Sequence, residues 1–241
     1  MSVMSLLTRL FGSGRRRLLA SAAAVLLLAS VGTLVLGLSA QHHPPQPPAS
    51  AALPASSMST APTVPPSTTP PSTTSPSVTP TTPQKSPAPA ATPTAISIPE
   101  IGVSHTLIQL GQNSDGSIQT PPLTAPEVPG WYRYSPAPGQ IGPAVIVGHI
   151  DGTTGAEGVF YNLGALRPGE TVDVTRSDHT VAVFRIDGVN KYAKSSFPTL
   201  TVYGNTTNPQ LRLITCAGPF ENQHYLDDIV VYATLTGTHP A

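Results

Sequence analysis

Apolar and polar residues alternate along several short stretches in the C-terminal part of the chain, a pattern typical of half-buried β-strands. The alternating stretches are residues 95–98, 103–110, 171–175, 181–186, 211–216 and 229–235. A continuous apolar run at 144–147, bounded by Pro143 and Gly148, predicts a buried strand. Helical periodicity is weak and is limited to short pieces near 160–163 and 195–200. Many short strands joined by Gly- and Pro-containing turns predict a mainly β domain, closed or nearly closed into a barrel.

The N-terminal part of the chain has a different pattern. Residues 18–40 contain no charged residue and are mostly Leu, Ala and Val, and these 23 residues suffice to cross a hydrocarbon core of about 30 Å as a helix. The positive-inside rule places the N-terminus in the cytoplasm, because four arginines precede this run: Arg9, Arg15, Arg16 and Arg17. A cleaved signal peptide is the alternative, but its apolar region is usually about 7–15 residues long. A signal peptide also ends in a small-x-small cleavage site. The corresponding residues here are 38–40, and the first of them is the bulky Leu38. We therefore expect a cytoplasmic tail at 1–17 and an uncleaved transmembrane anchor at 18–40.

Residues 41–92 are dominated by Pro, Ser, Thr and Ala, and the first charged residue after Arg17 is Lys85. Such a sequence has too little apolar side chain to offset the entropy lost on ordering. It predicts a disordered, extended spacer that tethers the following domain to the membrane. The folded domain is then expected at 93–238. The net charge of the chain is zero, and no basic patch indicates nucleic-acid binding.

Cys216 is the only cysteine in the chain, so it cannot form an intramolecular disulfide or a cysteine-cluster metal site. It is either a buried apolar side chain or a reactive thiol. A reactive thiol needs a nearby imidazole or cation, since an unperturbed thiol is mostly protonated at neutral pH. His149 directly follows the predicted buried strand, so a rigid element places it at a strand end, where catalytic groups are common. A purely structural role fits this position equally well.

Residues 148–151 read Gly-His-Ile-Asp and residues 213–216 read Leu-Ile-Thr-Cys, and together they resemble the signature of the sortase family. Further segments resemble class F sortases of high-GC Gram-positive bacteria: residues 96–103, 130–132, 136–139, 142–146, 166–170 and 224–225. The resemblance implies an eight-stranded sortase β-barrel with short helices and a cysteine transpeptidase activity. Cys216 would attack the carbonyl of a C-terminal sorting signal to give a thioester, which an amine would resolve. His149 would protonate the leaving amine and deprotonate the incoming one.

The same resemblance implies partners and a location. The substrates would be surface proteins that carry a C-terminal sorting signal, and the acceptor would be an amine such as that of a peptidoglycan crosslink peptide. The protein would cross the cell membrane once, with its catalytic domain outside the cell. This chemistry needs no metal and no organic cofactor.

Sortases usually place an arginine at the start of the last strand, where it supports the substrate and the oxyanion. This chain reads Tyr-Leu-Asp-Asp at 225–228, so Leu226 stands where that arginine is expected. Arg212, four residues before Cys216 on the same strand face, and Arg133, in an irregular segment that could fold over the cleft, are the candidates to replace it. The alternatives are a surface strand residue for Arg212 and an exposed loop charge for Arg133. Backbone N–H groups are a further source of oxyanion stabilisation.

The missing arginine leaves a second hypothesis, a catalytically impaired sortase-like binding module held outside the membrane. A different class of cysteine transpeptidases, which crosslinks peptidoglycan itself, carries the pattern Ser-x-Gly-Cys-x-Arg. That pattern is absent around Cys216.

Overall fold

The computed structural model of the chain describes residues 43–53 and 91–241. The predicted cytoplasmic tail (1–17) and transmembrane anchor (18–40) lie outside these residues, as does most of the predicted spacer. Within the described ranges, no helix combines the length and the apolar character that crossing a membrane requires. The chain divides into two units, Met1–His43 and Pro44–Ala241, and all but one of the described residues belong to the second.

The second unit is built around one sheet, which has nine strands in the described part of the chain. They are β1 (Pro93–Ile98), β2 (Val103–Thr106), β3 (Ile108–Leu110), β4 (Gly130–Tyr132), β5 (Gly142–Val147), β6 (Thr171–Arg176), β7 (Thr180–Ala193), β8 (Pro209–Glu221) and β9 (His224–Pro240). The order across the sheet is β2-β1-β6-β7-β9-β8-β5-β4-β3. The edge strands β2 and β3 are separated only by Leu107, so the two edges meet and the sheet forms a nearly closed barrel. The predicted mainly β barrel is confirmed, but it has nine strands rather than eight.

Part of the difference in strand count arises at Leu107. The pattern predicts one strand over 103–110, but the backbone changes its partner inside this stretch. Leu107 N–H donates to Thr94 O on β1 at 2.9 Å, whereas Ile108 N–H donates to Pro129 O, just before β4, at 3.1 Å. β2 therefore pairs with β1, and β3 pairs with β4. Alternation indicates which face a side chain takes and not which strand its backbone bonds, so this division leaves no trace in the pattern.

Helical structure in the described residues is confined to short pieces, as expected. α1 spans Thr199–Tyr203, and 3-10 turns occupy Leu163–Ala165 and Lys194–Ser196, with further turns at Pro99–Ile101 and Ala49–Ala51. The turn Lys194–Ser196 and α1 both belong to the connection between β7 and β8. This connection covers part of the sheet and helps to form the cleft described below.

Apolar side chains form two layers on the central strands. The inner layer fills the barrel and includes Phe160, Phe184, Ile146, Leu213 and Val231, all buried. The outer layer lies on the opposite face of β5, β8 and β9, and it contains Val145, Ile214, Val230 and Tyr232 packed with Val202 of α1. These strands are therefore buried on both faces. This explains why the sequence of β5 is a continuous apolar run rather than an alternating one.

Residues 44–53, which belong to the predicted spacer, lie against the barrel. Ala51 is fully buried, and Leu53 N–H donates to Asn190 Oδ1 on β7 at 3.0 Å. Gly188 leaves the space for this contact, since a Cβ there would lie 2.6 Å from Leu53 Cγ. The Pro- and Ser-rich composition predicted disorder. Instead, Ala51 and Leu53 pack on the barrel, with Leu53 against Gly188 of β7.

Candidate active site

A cleft of about 780 Å³ opens on the outer face of β5, β8 and β9. Its floor continues the outer apolar layer through Val145, Val147 and Ile214. The ionisable side chains that line it include an imidazole, a thiol, an ammonium and a carboxyl group, from His149, Cys216, Lys194 and Asp228. The walls come from residues around 116–120, 132–136 and 199–205. The cleft therefore combines an apolar groove with a cluster of reactive and charged groups.

Two parallel strands bring His149 and Cys216 to this cleft. β5 and β8 are paired in parallel with Val147 opposite Ile214, and Gly148 N–H donates to Ile214 O at 3.1 Å. Cys216 lies two residues further along β8, and His149 lies two residues past the end of β5. Both line the cleft, as Val147 and Ile214 do. The two residues singled out in the sequence are thus brought together.

His149 is fixed through both its ring and its backbone. Nε2 lies 2.7 Å from Pro121 O. A carbonyl oxygen only accepts hydrogen bonds, so Nε2 carries the hydrogen and the neutral imidazole has its lone pair on Nδ1. The backbone carbonyl of His149 accepts a hydrogen bond from Phe160 N–H at 3.0 Å. No sequence pattern indicates the role of Pro121, which lies 28 residues away in an irregular segment.

Gly148 and Gly158 make this packing possible. A Cβ on Gly148 would lie 2.5 Å from the ring of Phe160, and a Cβ on Gly158 would lie 2.2 Å from His149 O. Both distances are shorter than side-chain contacts allow. The two glycines therefore let the segment after the histidine fold back onto the strand end and hold it.

Cys216 lies where β8 becomes irregular. It is half-buried and pairs with Asp228 on β9. The register of β8 against β9 shifts between residues 217 and 220. Gly218, inside this irregularity, has φ of 76°, a left-handed conformation that favours glycine. The strand thus changes direction just after the thiol.

Burial raises the pKa of the Cys216 thiol above its usual value. The Lys194 ammonium acts in the opposite direction, and the carboxylates of Asp228 and Asp151 reinforce the rise. The thiol is therefore protonated at neutral pH when the cleft is empty. Any nucleophilic use of this sulfur needs a group that takes the proton and a charge that stabilises the anion.

Lys194 follows β7 and begins the turn Lys194–Ser196. Its Nζ donates a hydrogen bond to Cys216 Sγ at 3.4 Å and lies 3.6 Å from Asp228 Oδ1. Burial raises the pKa of Asp228, and the ammonium opposes that rise. Lys194 was not predicted from the sequence, because alternation predicted a strand ending at residue 186, whereas β7 continues along β9 to Ala193.

Tyr225, at the start of β9, links this strand to the segment that follows His149. Its hydroxyl donates a hydrogen bond to Asp151 Oδ2. Burial and this bond both raise the pKa of Tyr225. Phe220 packs on the tyrosine ring with 4.9 Å between centroids. These contacts connect the end of the β8–β9 hairpin to the segment that follows His149.

A family model described as the sortase domain matches residues 96–236, more than half of the chain. The chain belongs to the sortase family. Sortases are cysteine transpeptidases, and the protein is therefore an enzyme of this type. No curated protein sequence matches the chain.

The fold is also similar to solved sortase structures at low identity. Sortase A from Listeria monocytogenes is 17% identical, with 63% of this chain and 91% of that chain covered and a TM-score of 0.47. The SrtA sortase from Actinomyces oris is 17% identical, with 62% and 82% covered and a TM-score of 0.48. A sortase D5 transpeptidase from Clostridium perfringens is 22% identical, with 61% and 79% covered and a TM-score of 0.44.

Arg212 of this sortase does not reach the cleft. It is 3% exposed, so it is not a surface strand residue either. Its Nε donates to Val202 O at 3.2 Å and its Nη1 to Leu211 O at 3.1 Å, while the guanidinium lies 4.5 Å from the ring centroid of Tyr232. Burial lowers its pKa to about 10, so it remains charged at neutral pH. Arg212 attaches α1 to β8 and does not contact the thiol.

Arg133 of this sortase is exposed and also lies outside the cleft lining. Its Nη2 donates to Tyr134 Oη at 3.0 Å, and the guanidinium lies 5.0 Å from the centroid of that ring. The neighbouring Tyr132 and Tyr134 do line the cleft. The structure thus brings neither arginine candidate to Cys216, and Leu226, where the family has its arginine, is half-buried.

Proposed function

We propose that this sortase cleaves the C-terminal sorting signal of surface proteins through a thioester on Cys216 and transfers the acyl group to an amine. The main support is that His149, which follows the end of β5, and Cys216, on the adjacent parallel strand β8, line one cleft. The apolar floor beside them suits an extended peptide segment with apolar side chains. The glycine-dependent packing behind His149 keeps the imidazole at the strand end.

In the first half-reaction, the thiol proton of Cys216 passes to His149 and the sulfur attacks the peptide carbonyl carbon. The carbonyl π pair moves to oxygen and returns as the C–N bond breaks. The leaving amine takes the proton from the imidazolium, and the acyl group remains on sulfur as a thioester. In the second half-reaction, the incoming amine gives a proton to His149 and attacks the thioester carbon. The C–S bond then breaks and releases the thiolate, which His149 reprotonates.

The finer identity proposed here is a class F sortase anchored in the cell membrane. The class rests on the resemblance of residues 96–103, 130–132, 136–139, 142–146, 166–170 and 224–225 to class F sortases. The anchor rests on residues 18–40 and the arginines before them. The catalytic domain would lie outside the cell, with an amine of a peptidoglycan crosslink peptide as the acceptor. An unpaired cysteine outside the membrane is consistent with a nucleophile rather than a structural crosslink.

The test uses the full-length protein, a library of peptides that end in sorting signals, and an amine acceptor. Mass spectrometry should detect a product that joins the N-terminal part of one peptide to the acceptor. Cys216→Ala should abolish this product, and His149→Gln should lower its rate by about 10²–10⁴-fold, the usual contribution of a general acid–base. If a broad library yields no product while the protein is folded, the result favours the impaired binding module motivated by Leu226.

A further inference from the structure

The cleft contains one basic side chain besides His149. Among the described residues, Lys194 is the only lysine or arginine that lines it. Its Nζ is within hydrogen-bond distance of Cys216 Sγ at 3.4 Å, and the ammonium is the donor in this contact. The Lys194 ammonium therefore contacts the Cys216 sulfur, the atom that carries negative charge in the proposed reaction.

The register of three adjacent strands sets this position. Ala193 of β7 is opposite Asp227 of β9, and Asp228 of β9 is opposite Cys216 of β8. β7 ends at Ala193, and Lys194 begins the turn that follows it. Leu226 itself carries no charge, but a cation therefore lies just beyond the end of the strand that pairs with the start of β9.

The Asp228 carboxylate orients this ammonium. Asp228 Oδ1 lies 3.6 Å from Lys194 Nζ, and the carboxylate is partly buried whereas the lysine is exposed. A lysine side chain is long and flexible, so a carboxylate beside it restricts where the ammonium can lie. Asp228 thus acts as a positioning residue.

The charged and titratable groups around the sulfur come from every neighbouring element. Lys194 follows β7, Asp228 and Tyr225 lie on β9, and Asp151 and His149 follow β5. Burial disfavours a thiolate, and so do two of these groups, the carboxylates of Asp228 and Asp151. The Lys194 ammonium opposes them from 3.4 Å.

We propose that Lys194 is a catalytic residue of this sortase, whose ammonium, positioned by Asp228, stabilises the negative charge on Cys216 Sγ. It acts when the thiol gives its proton to His149 and attacks the carbonyl carbon. It acts again when the C–S bond of the thioester breaks and the electron pair returns to sulfur. This role rests on the proposed transpeptidation, but it is measurable without a peptide substrate.

The test is the pH dependence of Cys216 alkylation by iodoacetamide in the full-length protein. Cys216 is the only cysteine, so the reaction reports this thiol alone. Lys194→Met should raise the apparent thiol pKa by about one unit and lower the alkylation rate at pH 7 about tenfold. Lys194→Arg keeps the charge and should restore most of the rate.

Lys191→Met is the matched control. Lys191 also lies 3.6 Å from an aspartate, Asp227, on the same pair of strands, but it is not in the cleft lining. It should leave the alkylation profile unchanged. A Lys194→Met profile equal to that of the wild type would overturn the proposal, and so would an equal shift in Lys191→Met. If Lys194→Met does not fold, as judged by thermal unfolding, Lys194→Gln is measured instead, with the same expectations.

The outcome for Lys194 and the outcome for the proposed function are separable. A shifted alkylation profile in a protein that forms no peptide product would support the stabilisation of the Cys216 thiolate by Lys194 and refute the proposed peptide chemistry. Where product does form, Lys194→Met should lower kcat about tenfold at pH 7 with little change in KM. This loss should shrink as the pH rises and the thiolate population of the variant recovers.

Discussion

Val147 on β5 lies directly opposite Ile214 on β8, and this parallel pair sets the position of the site. Cys216 lies two residues further along β8, His149 lies two residues past the end of β5, and both line the cleft. The residues come from parts of the chain 67 positions apart (216 − 149). Their geometry therefore depends on the register of these strands and on the packing that fixes it.

Gly148→Ala tests that packing. A Cβ at this position would lie 2.5 Å from the ring of Phe160 and 2.6 Å from Val159 Cγ1. Overpacking of this kind should lower the free energy of unfolding by about 1–3 kcal/mol, which denaturant unfolding measures. The variant should also lower the rate of transpeptidation, because the clash displaces His149. Gly237→Ala is the control, since a Cβ there meets nothing within 4 Å. Equal stability of the two variants would contradict the packing described.

Arg212→Met tests whether the buried guanidinium is structural. The change removes the hydrogen bonds to Val202 O and Leu211 O and leaves buried carbonyls without these donors. The free energy of unfolding should fall by about 1–3 kcal/mol, while the alkylation profile of Cys216 stays that of the wild type. Arg185→Met, at an exposed position of β7, should change neither. A shifted thiol pKa in Arg212→Met would instead indicate a direct role at the site.

Ala51→Asp tests the contact between residues 44–53 and the barrel. Ala51 is fully buried, so a carboxylate there would either be desolvated or displace the segment. Displacing the segment limits the loss of unfolding free energy to about 1–3 kcal/mol, comparable to the loss of one or two buried apolar contacts. Ala52→Asp is the matched control at the next, exposed position and should be near neutral. If both variants unfold alike, these residues do not pack on the barrel.

Tyr225→Phe tests the bond to Asp151 through its pH dependence. The folded protein raises the pKa of Tyr225 above the usual value of about 10, chiefly by burial. A raised pKa means that the folded state favours the neutral phenol. The stability from this group is therefore fully present below pH 10 and is lost as the pH rises toward the folded pKa.

The wild type should thus be more stable than Tyr225→Phe below pH 10, and the difference should shrink above it. Denaturant unfolding at several pH values between 8 and about 11 measures the free energy of unfolding of both proteins. Because all other titrating groups are the same in the two proteins, their contributions largely cancel in the difference. A difference that stays constant across this range would argue against the Tyr225–Asp151 bond.

The sequence predicted what depends on local pattern. Alternation and the apolar run of β5 indicated a mainly β barrel, and the motifs around His149 and Cys216 indicated the family. Lys194 was missed because its relation to Cys216 passes through two strand pairings, β7 with β9 and β9 with β8. Arg212 was placed on the correct strand, but its burial under α1 depends on a connection whose path the sequence does not reveal.

The most direct test of catalysis through Cys216 is the intact mass of the full-length protein after incubation with a sorting-signal peptide and no amine acceptor. We expect an added mass equal to the N-terminal part of the cleaved peptide, released by hydroxylamine as a thioester is, and absent in Cys216→Ala. A protein that remains folded, alkylates at Cys216 and yet gains no such mass with any peptide of a broad library would contradict it.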